Sequence, residues 1–186
     1  MTDRPLRADA RRNRARLLDV AEAVFAAKGT SASTEEIARE AGVGIGTVFR
    51  HFPTKEALLE AVFVGRLQRL ADEAEAHLDA DDPGAAFFAF FGSAVEQSAT
   101  KTAFADALAQ AGVDVQEATL DARHRVRSAL AALLTRAQDA GAVRADAQVP
   151  DLAALLIGAS RALEHAGPDE TVRARVLAIL LDGLRP

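Results

Sequence analysis

Apolar positions recur along this chain at helical spacing. The first stripe, Leu17, Leu18, Ala21, Val24 and Phe25, predicts a helix over residues 10–28 that ends at Gly29, after an arginine-bearing mobile arm over residues 1–9. A short stripe follows in Ile37, Ala38 and Ala41. Ser33 and Glu36 stand at S-x-x-E spacing ahead of it, so the serine caps the Glu36 amide while the glutamate reaches back to the cap. Gly42 closes this helix and Val43 plugs the turn. A third helix over residues 45–52 turns Ile45, Val48 and Phe52 inward and leaves Gly46, Thr47, Arg50 and His51 outside. Two short helices around a glycine turn make a helix-turn-helix. Its outward face suits a duplex groove: small residues let the backbone come close, and Thr47 and Arg50 reach phosphates or base edges.

A long helix over residues 54–78 comes next. Thr54 is its cap, Leu58, Leu59 and Val62 pack beneath the helix-turn-helix, and Phe63, Leu67 and Leu70 lead into a second domain. Asp82 and Pro83 restart the pattern as N-cap and first helical residue. Asp79, Asp81 and Gly84 fit three positions of a calcium loop, but Phe90 stands where the bidentate glutamate belongs, so that site is rejected. Helices over 83–99 and 103–111 carry Phe87, Phe88, Phe90, Phe91 and Phe104, either as an aromatic core or as the border of a cavity. A helix over 115–140 carries His124, Arg127 and a leucine series, and two last helices span 150–165 and 168–184. The fold expected is all-α, about nine helices: an arm and three-helix DNA-binding domain over residues 1–53, and a helical bundle over 54–186.

Composition changes this picture little, but charge sharpens it. With 49% hydrophobic and 26% charged residues the chain is globular. It has no cysteine, which removes disulfides and thiolate chemistry. No apolar run approaches the roughly 20 residues of a membrane span and no signal pattern opens the chain, so it is expected in the cytoplasm. The net charge of −5 is unevenly spread. Residues 1–56 hold ten Lys/Arg against eight Asp/Glu, leaving twelve against nineteen for the rest. A basic end on an acidic body presents one face to a polyanion. Arg11, Arg12, Arg14 and Arg16 crowd the expected start of the first helix, where positive charge opposes the helix dipole and a phosphate relieves it. Lys55 repeats the pattern after its Thr54 cap.

The run A-S-T-x-x-I-A-x-x-A-G-V-x-x-G-T-V-F-x-H-F-x-T-K-x-A-L resembles the DNA-binding signature of the tetracycline repressor (TetR) family over residues 17–59. The resemblance implies that Thr47, Phe49, His51 and Lys55 face DNA, with Lys55 on a phosphate. Ser33, Thr34, Gly46 and Arg50, with Arg11 and Arg12, complete the candidate set. Phe49 stands where the family usually has tyrosine and so lacks a phosphate-binding hydroxyl, and Gly44 replaces a common serine or threonine. The resemblance further implies a ligand chamber in the bundle, for which Phe63, Leu67, Phe87, Phe91, Phe104, His124 and Arg127 are the candidates. A mostly apolar lining suits an apolar or aromatic effector, with Arg127 or His124 for a carboxylate or hydroxyl. It implies a homodimer through the last two helices. One seam is Leu152, Leu155, Leu156, Ala159 and Leu163; the other is Val172, Val176, Ile179 and Leu180.

No enzyme motif is complete. Gly42-Val43-Gly44-Ile45-Gly46-Thr47 lacks the third glycine and the preceding strand of a dinucleotide loop. Gly158-Ala159-Ser160-Arg161-Ala162 lacks the last glycine of a nucleophile elbow. The four histidines fall in no metal-binding spacing, and neither a metal nor a cofactor is expected. The function expected is a ligand-responsive regulator, a repressor released from a palindromic double-stranded operator by a small molecule. The alternatives are a helical protein-interaction adaptor without DNA binding and, with less support, an α-helical enzyme.

Overall fold

The computed structural model describes the backbone of residues 3–167 and 169–186 and the side chains of residues 12–98, 103–167 and 169–186. Eight α-helices are found among the described residues: α1 (Asp3–Lys28), α2 (Thr34–Ala41), α3 (Ile45–His51), α4 (Lys55–Ala76), α5 (Pro83–Gln110), α6 (Gln116–Asp139), α7 (Val149–Ala166) and α8 (Glu170–Asp182). The protein is all-α. No helix among the described residues is long and apolar enough to cross a membrane.

Two helices differ from the sequence expectation for local reasons. α1 begins at Asp3, so residues 3–9, expected as an arm, are helical. Leu6, Arg7, Ala8 and Ala10 all favour helix, and Pro5 falls in the first turn, whose amides have no intrahelical partner. α5 runs unbroken where two helices were expected. The polar run Ser98–Thr102 contains neither glycine nor proline, so nothing in it forces a break.

By their contacts, residues 1–65 with 103–115 form one compact unit and residues 66–102 with 116–186 form another. The first is built on Leu17, Ala21 and Phe25 of α1, Ile37 and Ala41 of α2, Val48 of α3, and Leu58 and Val62 of α4, all buried. The Phe104 ring meets Phe25 edge-on at 5.9 Å between centroids. In the second unit Phe87, Phe90 and Phe91 of α5 pack with Leu130, Leu133 and Leu134 of α6 and Leu152, Ala159 and Leu163 of α7. Gly84 is required here, because a Cβ would stand 2.5 Å from that of Ala142.

Helix ends are fixed by side chains that the sequence marks. Asp82 Oδ1 accepts from the Ala85 amide at 2.9 Å, and Asp169 Oδ1 accepts from the Thr171 and Val172 amides at 3.0 and 3.1 Å. The first turn of α7 is tied by the Gln148 amide, which donates to Asp151 Oδ2 at 2.9 Å. Each satisfies a donor left orphaned at a helix start.

Candidate nucleic-acid interface

The helix-turn-helix is assembled by local chemistry. Ser33 Oγ accepts from the Glu36 amide at 3.2 Å, giving α2 its cap. The glutamate does not close the expected box. Its carboxylate takes the Lys28 ammonium instead and lies 3.7 Å from Arg39, fastening the end of α1 to α2. The Lys28 hydrogen bond holds the Glu36 carboxyl below its ordinary range, against partial desolvation. Gly42 ends α2 at φ +66°, a left-handed conformation that costs a residue with Cβ about 1 kcal/mol or more. α3 then starts at Gly44, whose carbonyl accepts from the Thr47 amide at 2.8 Å.

What α3 shows to solvent differs from the expectation at one position. Val48 and Phe52 are buried, but Ile45 is 37% exposed and Phe49 42%. A seven-residue helix resting on Val48 turns its first residue to the flank, and Ile45 stands one turn before Phe49, so an apolar pair borders the outward face. Gly46 and Arg50 are exposed; Thr47 and His51 are half-buried. A Cβ on Gly44 or Gly46 would meet nothing within 4 Å, and neither has positive φ. Nothing inside the protein requires glycine at either place.

Arg50 and Lys55 have no hydrogen-bond or ion-pair partner among the described residues. Thr54 Oγ1 accepts from the Ala57 amide at 3.1 Å, so Lys55 opens α4 directly behind its cap. Arg14 is spoken for, with its guanidinium 5.0 Å from the centre of the Phe52 ring. Arg12 is exposed and partnered; the side chain of Arg11 lies outside the described residues. Because α1 begins at Asp3, these arginines sit in its third and fourth turns, too far from the helix start for their charge to oppose the dipole there. Ser33 is exposed, its oxygen engaged in the cap and its hydrogen free to donate. Thr34 is buried, with Oγ1 donating to Glu35 at 3.4 Å.

The seven effector candidates are divided between the two units. Phe87 and Phe91 are wholly buried and stacked at 5.7 Å in the core of the second unit. Phe63 and Phe104 are buried in the first unit. Leu67 and Arg127 line a common concavity, a groove of about 700 Å³ formed by α4, α6 and α7. His124 is exposed and does not line it. Sequence reading missed Arg123, Val126, Leu130, Ala153, Leu156 and Ile157 of that groove. The i, i+4 pair of Arg123 and Arg127 was the available signal.

The candidate dimer seams divide in the same way. Leu152, Ala159 and Leu163 face the protomer's own core, and Leu156, Val176 and Leu180 pack at its edge. Val172 is half-buried. Leu155, Gly158 and Ala162 of α7, with Val176, Ile179 and Leu180 of α8, line a separate concavity of about 520 Å³, where Ile179 is 67% exposed. The exposed stripe on α7 is therefore 155–158–162, Leu152 and Leu163 are internal, and the buried Ala159 floors the concavity between them.

Similarity to known proteins falls in two blocks of the chain. Residues 17–62 match the family profile described as bacterial regulatory proteins, tetR family, and residues 82–186 match that of the transcriptional regulator SbtR-like C-terminal domain. A TetR transcription regulatory protein from Mycobacterium vanbaalenii is 44% identical in its crystal structure, with a TM-score of 0.77, over 98% of this chain and 100% of that one. The TetR transcriptional regulator SCO0520 from Streptomyces coelicolor is 38% identical with a TM-score of 0.75, over 93% and 98%. The HTH-type transcriptional regulator SrpR of Pseudomonas putida is 45% identical over 60 residues, 32% of this chain and only 28% of that protein. With its carboxyl-terminal half matched by one profile, its helix-turn-helix by the other, and full-length structural relatives above one-third identity, the chain belongs to the TetR family of transcriptional regulators.

Proposed function

We propose that this regulator acts in the cytoplasm as a homodimer, that it binds a roughly palindromic operator through residues 33–55, and that a small molecule in the carboxyl-terminal bundle releases it. The observation that carries the reading is the outward face of α3. Glycine at position 46 is a poorer helix former than alanine, and no internal packing accounts for it. Close approach of a duplex backbone does. Arg50 of α3 and Lys55 at the start of α4, without partners among the described residues, supply the charge for phosphate or guanine, and Ile45 with Phe49 supplies apolar surface for thymine methyl groups.

Repression and its release follow from population shift. An effector that prefers the conformer with mis-spaced recognition helices lowers operator affinity by its differential affinity, about 1.4 kcal/mol for each factor of ten. Helix α4, which begins at Lys55 and continues into the second unit, is the element expected to carry that change. The exposed stripe of α7 and α8 supports pairing of two copies, which sets the half-site spacing.

Fluorescence anisotropy against duplexes tiled across the intergenic DNA upstream of its own gene tests the proposal. Saturable binding to one site, steep in salt, is expected. A flat response at low salt across every duplex overturns operator binding and leaves a protein-interaction adaptor.

A further inference from the structure

The groove formed by α4, α6 and α7 is apolar in its floor and cationic on its α6 side. Leu67, Val126, Leu130 and Leu156 supply the hydrocarbon, and Arg123 and Arg127 stand one helical turn apart along α6. Neither guanidinium has a hydrogen-bond or ion-pair partner among the described residues. Their neighbours are treated otherwise: Arg125 is held by Glu75 and Asp72, Arg144 by Asp146, Arg161 by Glu164 and Arg185 by Asp182. Residues 57–186 carry nineteen acids against twelve bases, so carboxylates are in excess, and none is placed on this pair.

Like charges at i, i+4 repel, here between two exposed side chains. A neutral ligand leaves that repulsion in place and a cation adds to it. A carboxylate bridging the two forks removes it and gains charge-assisted hydrogen bonds, while the hydrocarbon floor accepts the rest of the molecule. We infer that this groove binds an anionic amphiphile, a carboxylate on an acyl or aromatic body, with its head on Arg123 and Arg127 and its tail along Leu67, Val126, Leu130 and Leu156. The regulatory meaning of such binding rests on the ligand-responsive reading above. Arg125 lies between the two head-group arginines and grips Asp72 and Glu75 of α4, so a ligand that draws on this stretch of α6 bears on α4 through that grip.

Calorimetric titration of the full chain, without DNA, with decanoate, 2-naphthoate and 1-decanol reads the groove directly. At least one carboxylate is expected to bind with one site per chain, tenfold or more tighter than 1-decanol. The double variant R123Q/R127Q should bring it down to the level of the alcohol. Ala153→Trp, at an exposed lining position, should abolish binding of all three without loss of folding. No binding by either carboxylate, parity with 1-decanol in the wild type, or binding unaffected by either variant each overturns the proposal. Because no DNA is present, a protein that fails to bind any operator can still fill this groove, and a groove that stays empty leaves the operator titration standing.

Discussion

Arg125 of α6 forks onto Glu75 of α4, with Nε donating to Oε1 at 2.8 Å and one Nη donating to Oε2 at 2.6 Å. The same Nη reaches Asp72 at 2.6 Å, and Arg136 donates to the carbonyls of Leu78 and Ala80, where α4 has ended. A planar guanidinium spanning two helices fixes their register as well as their charge balance. The Arg125 hydrogen bond holds the Glu75 carboxyl below its ordinary range, against desolvation and the nearby Asp72. A depressed carboxylate contributes stability that is present above its unfolded pKa and is lost as pH falls through the folded one. Wild type should therefore melt above Glu75→Gln at neutral pH, and the gap should close as pH drops below about 4. Thermal melts from pH 7 to pH 3 measure it; a gap independent of pH would assign the loss to packing.

Phe87 and Phe91 stack nearly parallel, 10° apart, and both are wholly buried. As core, Phe91→Ala should cost about 3–5 kcal/mol, read from the denaturant midpoint at unchanged m. As chamber wall, it would spare stability and alter effector binding alone. The closed packing around the pair predicts the first outcome.

These phenylalanines mark where sequence reading stops. Their burial was legible, because four aromatics spread over more than one stripe of a helix cannot all face water. Whether they border a cavity depends on what α6 and α7 place opposite them, which no local pattern encodes. The cap of Ser33, the left-handed Gly42 and the cap of Asp82 were legible for the converse reason: each is decided within four residues. Ile45 was misplaced because a helix of two turns has too few positions to fix its inward direction, and tertiary packing of Val48 chose it. Glu36 was legible as a capping-box residue, yet Lys28, eight positions earlier, claimed it by a contact between helices.

Gly46→Ala separates the needs of the fold from those of the interface. With open space at the Cβ and an ordinary helical backbone, the substitution should stabilise the protein by about 0.5–1 kcal/mol. If a duplex occupies that space, the same change weakens operator binding. A raised melting temperature with unaltered anisotropy would mean that nothing approaches α3 there.

Ile45 and Lys55 should fail in different ways. Lys55→Ala should weaken all sequences about equally and lower the slope of log affinity against log salt by about 1. Ile45→Ala should leave the slope unchanged and reduce the preference for operator over random duplex. Replacing operator thymines by deoxyuridine, which removes only the methyl group, should reproduce the Ile45 loss in wild type and add little in the variant. Indifference of wild type to that replacement would take thymine readout away from the pair.

Ile179 lies 67% exposed on α8, beside Leu180 and opposite Leu155 and Gly158 of α7 across a concavity of about 520 Å³. An isologous contact through this face buries each copy of Ile179 against the other protomer, so Ile179→Glu places a charge in each half of a surface that excludes water. The protomer's own core at Leu152 and Leu163 does not line this concavity, so the variant should remain helical and fold as a monomer. Light scattering should give half the wild-type mass. Operator affinity should fall by at least 10²-fold, because binding the second half-site is no longer intramolecular, while affinity for an isolated half-site changes little. A dimer that survives the glutamate would move the interface off this face, and equal losses on whole and half operators would place the damage in the helix-turn-helix.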